Sequence, residues 1–231
     1  MSAALYDTLR TITTATITTM LLKKGIRRCW MRGPKPLAAG AARLAGPAFT
    51  LRFVPAREDL ATPESWAKPI STRAAIEDMP EGAIAVADAM GITSAGIFGD
   101  ILVMRMARRN VAALVTDGAV RDQVGVLATG LPVWCAGAAA PASVNGLTFV
   151  GWQEPIGCGG CAVFPGDVIV CDGDGAVVVP QDLVGFVAEE GAEHERMESF
   201  IVEEVERGAK LPGLYPMNDE AKARYAAWKK R

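Results

Sequence analysis

The most informative segment of the chain runs from Gly99 to Asp122 and reads GDILVMRMARRNVAALVTDGAVRD. Ile101 to Arg109 has apolar residues on one side and arginines on the other, which predicts an amphipathic helix. Val111 to Val115 is an apolar run of strand length, too short for a helix, and predicts a buried strand. Thr116-Asp117-Gly118 then has the composition of a turn at a strand end. The segment therefore predicts a helix, a buried strand and a tight turn in succession.

Charged side chains lie at both ends of this segment. Asp100 marks the predicted helix start, where the N–H groups of Ile101 and Leu102 lack intrahelical acceptors and favour an anion. Arg121 offers a forked cation suited to a carboxylate, and Asp122 offers a hard oxygen ligand suited to Mg²⁺ or Mn²⁺. These groups together could hold a 2-oxo acid against a metal ion. A structural interpretation stays open, with Asp100 as a helix N-cap and Arg121-Asp122 as a surface ion pair.

Hydrophobic periodicity predicts the remaining elements. Helices are expected as two short pieces over residues 4–25, and then at Thr72–Met79, Arg121–Ala128, Gln181–Gly208 and from Pro216 onward. Strands are expected at Pro47–Val54, Ala83–Asp88, Leu131–Cys135, Leu147–Gln153, Ala162–Val163, Val168–Cys171 and Ala176–Val179. Long loops are expected over residues 29–46 and 55–71, and the second, which contains Trp66, is a candidate lid or intersubunit contact.

The order β, α, β, α, β followed by hairpins predicts an α/β protein, a mixed β/α sandwich. We expect a single domain over residues 1–231. Its parts would be N-terminal helices and a loop at 1–46, a core at 47–180 and C-terminal helices at 181–231. Half of the 231 residues are hydrophobic, so a chain of this length can bury a large core.

Composition narrows the range of partners. The formal net charge of −2 argues against a nucleic-acid binder, and no apolar run reaches the length of a membrane span. Charge is uneven, because residues 1–57 hold ten Lys and Arg but only one acid, Asp7, whereas residues 182–206 are rich in Glu. A basic, Thr-rich N-terminus also fits a transit peptide, although no Arg-rich amphipathic helix is evident there.

Five cysteines without an export signal predict free thiols in a reducing cytosol, and hence a cytoplasmic protein. Cys158 and Cys161 have CxxC spacing, which is also found in zinc and redox sites. A structural zinc needs four ligands, yet the chain has no second CxxC and its only histidine is His194. A Gly-rich loop with buried thiols is therefore the favoured interpretation.

Gly99-Asp100 and the string Asp117-Gly118-Ala119-Val120-Arg121-Asp122 resemble a known family, the 4-hydroxy-4-methyl-2-oxoglutarate/4-carboxy-4-hydroxy-2-oxoadipate aldolases. This family belongs to the superfamily of proteins like the regulator of ribonuclease activity A. Matching motifs also occur at 45–52 (AGPAFTLR), 165–167 (PGD), 174–175 (DG) and 179–180 (VP), so the similarity covers roughly residues 45–215. It implies a swivelling β/β/α domain, here with an N-terminal helical segment and a long C-terminal helix.

The resemblance also implies a chemistry. A pyruvate aldolase sends the electrons of the broken C–C bond into an enolate, with help from a Schiff-base lysine or a divalent metal. The matching segments contain almost no lysine, so Mg²⁺ or Mn²⁺ is the expected cofactor. In this family pattern Asp122 binds the metal directly and Asp100 holds it through water. Arg121 binds the 2-oxo acid and offsets the charge of the enolate.

The same resemblance assigns the remaining site residues. Gly99 and the amides of Ile101 and Leu102 would take the substrate carboxylate. A glutamate from the C-terminal helix of a neighbouring subunit would complete the site, with Glu195 as the best match and Glu198 as the next. A homotrimer, or a homohexamer made as a dimer of trimers, is therefore expected.

The expected activity is cleavage of a 4-hydroxy-2-oxo acid such as 4-hydroxy-4-methyl-2-oxoglutarate to pyruvate, with decarboxylation of oxaloacetate as a side reaction. A non-catalytic regulator that binds a ribonuclease is the alternative within the superfamily. Those regulators lack the upstream Gly-Asp and the acid after the arginine, which this chain keeps as Asp100 and Asp122. A third alternative is a lyase acting on a sugar-derived 2-oxo acid. A methyltransferase is not indicated, because no GxGxxG follows a strand in a βαβ unit.

Overall fold

A nine-stranded sheet runs through the computed structural model, which describes residues 2–230. The strands in chain order are β1 Trp30–Met31, β2 Lys35–Pro36, β3 Leu44–Pro55, β4 Ile84–Asp88, β5 Ala113–Thr116, β6 Ala119–Val120, β7 Val133–Cys135, β8 Gly137–Ala138, β9 Leu147–Trp152, β10 Val168–Asp172 and β11 Gly175–Val179. Strands β6 and β8 form a separate parallel pair. The helices are α1 Ala3–Leu9, α2 Thr14–Lys23, α3 Thr72–Asp78, α4 Asp100–Arg108, α5 Gln123–Ala128, α6 Val184–Glu206 and α7 Asp219–Trp228.

The long strand β3 joins two kinds of pairing in this sheet. Its first residues pair antiparallel with β10, its middle pairs parallel with β4, and its last residues pair antiparallel with β9. The order across the sheet is β1-β11-β10-β3-β4-β5-β7-β2, with β9 attached to β3. Strands β3, β4, β5 and β7 are successive neighbours in this order and run parallel to one another. Their carboxyl ends therefore meet at one edge of the sheet, where ligand sites commonly form.

Alternation along the strands produces two hydrophobic layers. In β4, Ile84 and Val86 pack with α1, α2 and the start of α6, whereas Ala85 and Ala87 face α3, α4 and α5. Successive side chains of a strand point to opposite faces, so a fully apolar strand must be covered on both sides. Helix α6 therefore covers the face opposite to α4 and α5.

The threonines at the start of α2 attach this helix to the sheet. Thr14 donates hydrogen bonds from its N–H and Oγ1 to the two carboxylate oxygens of Asp172, at 2.8 and 2.7 Å. The same carboxylate accepts the N–H of Asp174 in the β10–β11 turn at 2.9 Å. Asp172 and Asp174 thus belong to the β10–β11 hairpin. Helices α1 and α2 of the basic N-terminal region pack on the same face of the sheet as Ile84 and Val86.

The predicted mixed α/β fold, with N-terminal helices and a long C-terminal helix, is confirmed. Two local predictions were wrong. The segment 29–46, expected as a loop, contains β1, β2 and the start of β3. Ala162–Val163, expected as a strand, contributes only an isolated bridge between Ile156 and Val163. Strands of only two residues, such as β1 and β2, leave no periodic signal in the sequence, because alternation cannot be detected over two positions.

Within residues 2–230 no helix is long and apolar enough to cross a membrane. The five cysteines are all buried and unpaired. Burial raises the pKa of the Cys161 thiol to about 11 and holds the pKa of the Cys158 thiol well above its ordinary value. The loop that carries the CxxC pair is thus Gly-rich with buried thiols, as expected from the sequence.

Candidate active site

Two separate segments meet side by side at the carboxyl end of β5. The N–H of Ile97 donates to the carbonyl of Ala119, and the N–H of Arg121 donates to the carbonyl of Phe98, each at 2.9 Å. These bonds align the segment before α4 with the segment before α5. As a result the Gly99-Asp100 and Arg121-Asp122 pairs, separated by 20 residues in the chain, line one cavity.

Glycines make this close approach feasible. A Cβ on Gly96 would lie 2.7 Å from both the Cβ and the backbone nitrogen of Arg121. A Cβ on Gly99 would lie 2.9 Å from Oδ2 of Asp122. Heavy atoms do not tolerate such distances, so the two segments would separate if either glycine carried a side chain. Gly99 thus contributes to the site through the space it leaves.

The N-terminus of α4 opens onto this cavity. Gly99 is the N-cap and Asp100 the first helical residue, so Asp100 does not act as the N-cap. Its Oδ1 accepts the N–H of Ile101 at 2.8 Å. We expected the amides of both Ile101 and Leu102 to take a carboxylate, but the Ile101 amide already has an acceptor in this geometry. The amide of Leu102, also in the first turn and without an intrahelical acceptor, is the one left for an anion.

Arg121 and Asp122 form an ion pair beside the helix start. The Nε of Arg121 donates to Oδ2 of Asp122 at 3.1 Å, and 37% and 49% of the two side chains remain exposed. Only Nε is used in this bond, so the outer nitrogens of the guanidinium can take a ligand. The structural and the functional interpretations of the pair are therefore compatible.

The backbone of Asp122 is left-handed, with φ 53° and ψ 47°, at the N-cap of α5. Its side chain makes no capping hydrogen bond, although Asp is a preferred N-cap residue. A non-glycine residue in this region costs about 1–3 kcal/mol unless local contacts compensate, and such residues are concentrated at functional sites. The carboxylate is thereby directed toward the cavity rather than toward its own helix.

The cavity has a volume of about 260 Å³. Besides the predicted residues it is lined by Gly96 and Ile97, just before the central segment, and by Trp66, Thr72, Arg73, Ala142 and Ser143. None of these seven is among the site residues expected from the sequence, although the loop carrying Trp66 is a candidate lid. The last five come from two segments far from the central one, and no local pattern marks them as neighbours of Arg121.

The donor chemistry of the cavity fits a magnesium or manganese ion. Asp100 and Asp122 supply two carboxylates, and Mg²⁺ is commonly held by one or two carboxylates with several waters. No cluster of three His, Cys, Asp or Glu residues able to hold a metal exists among residues 2–230, so further ligands would be water, substrate or another chain. A Cβ on Gly125 would lie 2.7 Å from Oδ2 of Asp100, which shows that this carboxylate lies directly against α5.

Gly125→Ala is expected to displace Asp100, because the new methyl group would overlap the carboxylate oxygen. We expect activity on a 2-oxo acid to fall at least tenfold, an order-of-magnitude estimate for a misplaced active-site group. The midpoint of thermal unfolding should also fall, because the added methyl would lie 2.7 Å from the Cβ of Asp100 as well, so α4 and α5 must move apart at this point. Gly185→Ala in α6, where nothing lies within 4 Å of the added Cβ, is the matched control. Unchanged turnover in Gly125→Ala would show that the position of Asp100 is unimportant.

The two glutamates expected from the family pattern lie elsewhere in this chain. Both belong to α6, on the sheet face opposite the cavity. Oε1 of Glu195 accepts the N–H and Oγ1 of Thr13, both at 2.8 Å, at the start of α2. Burial favours a higher pKa for Glu195, but these hydrogen bonds outweigh it and lower the pKa. Glu198 lies 3.2 Å from Nε2 of His194 and is 40% exposed.

Asp117, the first residue of the family string, has a structural role. Its buried carboxylate accepts the N–H groups of Ala89, Gly91 and Gly159 at 2.8, 3.0 and 3.0 Å. Burial raises the pKa of Asp117 despite these bonds. The carboxylate fixes the loop after β4 and the loop containing the CxxC pair, outside the cavity that contains Arg121.

The fold and this cavity define an α/β protein in which a helix start, an arginine and two carboxylates meet at the edge of a mixed sheet. The chain belongs to the RraA-like family, since the Aldolase/RraA family model matches residues 3–178. The resemblance inferred from the central segment is therefore confirmed.

Individual relatives carry different names. Streptomyces coelicolor RraAS2, described as an unusual member of the RNase ES inhibitor RraA protein family, has a solved structure 35% identical to this chain. The match covers 87% of this chain and 96% of that one, with a TM-score of 0.77. A Halalkalibacterium halodurans protein provisionally named 4-hydroxy-4-methyl-2-oxoglutarate aldolase is 36% identical over 108 residues, which are 46% of this chain. Protein DlpA of Legionella pneumophila is 32% identical over 148 residues, which are 64% of this chain.

The matched segments span only 23% of DlpA and 50% of the Halalkalibacterium protein. The comparison with RraAS2 extends over most of both chains.

Proposed function

We propose that the protein is a divalent-metal-dependent lyase that cleaves a 4-hydroxy-2-oxo acid such as 4-hydroxy-4-methyl-2-oxoglutarate to pyruvate. Decarboxylation of oxaloacetate would be a side reaction, because it passes through the same pyruvate enolate. One observation carries the proposal: Asp100, Arg121 and Asp122 line a single cavity at the N-terminus of α4. The aldolase name of the Halalkalibacterium relative agrees with it.

The chain's own residues would divide the chemistry between binding and charge stabilisation. The amide of Leu102 would bind the carboxylate next to the oxo group, because a helix start favours anions. The outer nitrogens of Arg121 would donate to the oxo oxygen, which gains negative charge as the 4-hydroxyl gives its proton to water, the C3–C4 bond breaks and its electron pair enters the enolate. A preorganised donor aimed at such an oxygen lowers the activation free energy by about 3–4 kcal/mol. C4 would leave as the carbonyl of the second product, and a proton from water at C3 would complete pyruvate.

Asp100 and Asp122 would hold the divalent cation, with Asp122 as the direct ligand and Asp100 acting through water. When bound, the cation supplies Lewis-acid stabilisation to the enolate of pyruvate. Asp122 would also orient Arg121 through their ion pair, so this one carboxylate would contact both the metal ion and the guanidinium.

The proposal is tested with a panel of 4-hydroxy-2-oxo acids and oxaloacetate, assayed for pyruvate release in the presence of Mg²⁺ or Mn²⁺. We expect release from at least one 4-hydroxy-2-oxo acid and slower release from oxaloacetate. No pyruvate from any member of the panel would overturn the proposal. The panel should include sugar-derived 2-oxo acids, because the loop 55–71 that carries Trp66 contributes to the cavity.

A non-catalytic regulator of a ribonuclease is the second candidate. The observation in its favour is the 35% identity to RraAS2 over nearly the full length of that chain. Tight binding to a ribonuclease E-type enzyme with loss of RNA cleavage, together with an inactive substrate panel, would establish this function instead.

We further propose that the site is shared between subunits of a homotrimer. The family resemblance implies this assembly, in which head-to-tail contacts between subunits close into a ring. Of the two glutamates, Glu195 is engaged by Thr13 of its own chain, so Glu198 is the better donor to a neighbour's site.

Mixing an Arg121→Ala protein with a Glu198→Gln protein should then restore activity. If each variant alone is inactive, random exchange of subunits leaves roughly a quarter of the sites with both residues intact, and these would account for the recovered rate. Subunit exchange is monitored independently by fluorescence energy transfer between labelled chains. Full activity of Glu198→Gln alone, or exchange without any recovery, would contradict the shared site.

A further inference from the structure

Arg73 is the one charged residue of the cavity that the proposed mechanism does not use. The charged side chains lining the cavity are Arg73, Arg121, Asp100 and Asp122. The last three have roles at the reacting end of the substrate. Arg73 comes from the start of α3, a different element, so it can address another part of the same ligand.

The guanidinium of Arg73 lies close to an aromatic ring. Its central carbon is 5.4 Å from the centroid of Trp66, which also lines the cavity. A cation–π contact of this kind favours one placement of the guanidinium and leaves N–H groups available for a ligand. Trp66 lies in the 3₁₀ helix Pro63–Ala67, so the loop before α3 contributes the support.

Neighbouring arginines are neutralised, whereas Arg73 is not. Arg57 pairs with Asp59, and Arg105 and Arg109 both pair with Glu77. Throughout residues 2–230, no carboxylate forms an ion pair with Arg73. A guanidinium that lines a cavity beside an aromatic ring and has no carboxylate partner is suited to an anionic ligand group.

We propose that Arg73 is a specificity-determining residue that binds the distal carboxylate of the substrate, with Trp66 as its positioning residue. This inference rests on the proposed function, in which Arg121 and the Leu102 amide bind the 2-oxo end. An acid with a second carboxylate could engage both arginines of the cavity, Arg121 and Arg73. An acid that ends in a methyl group leaves Arg73 without a partner.

The test compares substrates with and without the distal carboxylate. For Arg73→Gln we expect KM for 4-hydroxy-4-methyl-2-oxoglutarate to rise roughly 10- to 100-fold, the effect of losing a charge-assisted hydrogen bond. Its kcat should stay within about threefold, because Arg73 does not touch the breaking bond. For 4-hydroxy-2-oxopentanoate, which lacks the distal carboxylate, both constants should stay near those of the wild type.

Further variants separate binding from folding. Arg73→Lys should recover only part of the lost affinity, since an ammonium cannot form a forked contact. Trp66→Leu should raise KM for the dicarboxylic substrate in the same direction. Arg57→Gln removes an equal charge from the same loop region, outside the cavity, and should leave both substrates unaffected.

Calorimetric binding keeps this proposal separate from the proposed function. Wild-type protein with Mg²⁺ should bind 2-oxoglutarate more tightly than 2-oxobutanoate, and Arg73→Gln should remove that preference. If no substrate is turned over but this preference is seen and lost in the variant, the lyase proposal fails and the role of Arg73 stands. Equal losses for both ligands, no loss for either, or no wild-type preference would overturn the role of Arg73.

Discussion

Replacing Arg121 with lysine should reduce kcat/KM for 2-oxo acid cleavage by about 100-fold or more, the usual effect of removing one preorganised donor to an oxyanion. In the structure the Nε of Arg121 is already committed to Asp122 at 3.1 Å, and the outer nitrogens are left for the ligand. Lysine keeps the charge but has a single ammonium group, which cannot hold Asp122 and also grip a carboxylate or enolate oxygen in the forked geometry.

Steady-state kinetics with oxaloacetate and the best 4-hydroxy-2-oxo acid measures this effect. Arg105→Lys is the matched control: Arg105 lies on α4 but pairs with Glu77 outside the cavity, and its change should alter kcat/KM less than twofold, in line with a surface ion pair. Circular dichroism should show both variants folded. Near-native turnover of Arg121→Lys would show that Arg121 serves only as a structural ion-pair partner of Asp122.

Removal of the divalent metal should abolish activity, and Asp122→Asn should come close to doing the same. Asparagine has the shape of aspartate and tolerates the left-handed backbone observed at position 122, so the change isolates the charge. Loss of an outer-shell partner already costs roughly 10- to 100-fold in metal affinity or activity, and loss of a direct ligand should exceed that.

Two readouts apply to this prediction. Chelator-treated wild type should regain pyruvate release from oxaloacetate when Mg²⁺ or Mn²⁺ is added back. Titration with Mn²⁺, followed by paramagnetic resonance, should show weakened binding in Asp122→Asn without reference to turnover. Asp59→Asn, which removes an exposed carboxylate paired with Arg57, is the control and should bind Mn²⁺ as the wild type does. Full activity after chelation would contradict the metal-dependent mechanism.

The sequence alone determined the elements whose burial follows a local period. Helix α4 was visible as an amphipathic run, and β4 and β5 as apolar runs of strand length. Asp100, Arg121 and Asp122 could be named for a similar reason: strand ends and helix starts are marked by local turn chemistry, and all three lie in one segment of 24 residues. The family resemblance supplied their proposed roles.

Tertiary structure alone placed the rest of the cavity. Trp66, Arg73 and Ser143 come from segments far apart in the chain, and their meeting depends on how β3, β4 and β9 pair in the sheet. A local pattern reports whether a side chain is buried, but not which distant side chain it faces.

The same limit applies to two further findings. The left-handed backbone of Asp122 lies where two segments pack closely over Gly96 and Gly99. Glu195 accepts a hydrogen bond from Thr13, which lies 182 residues away in the chain, and the sequence of neither helix predicts this contact. Non-local contacts of this kind form only when the loops between distant segments close. The sequence therefore determined which residues are charged and, through periodicity, which are buried. The packing of the folded chain determined which of them meet.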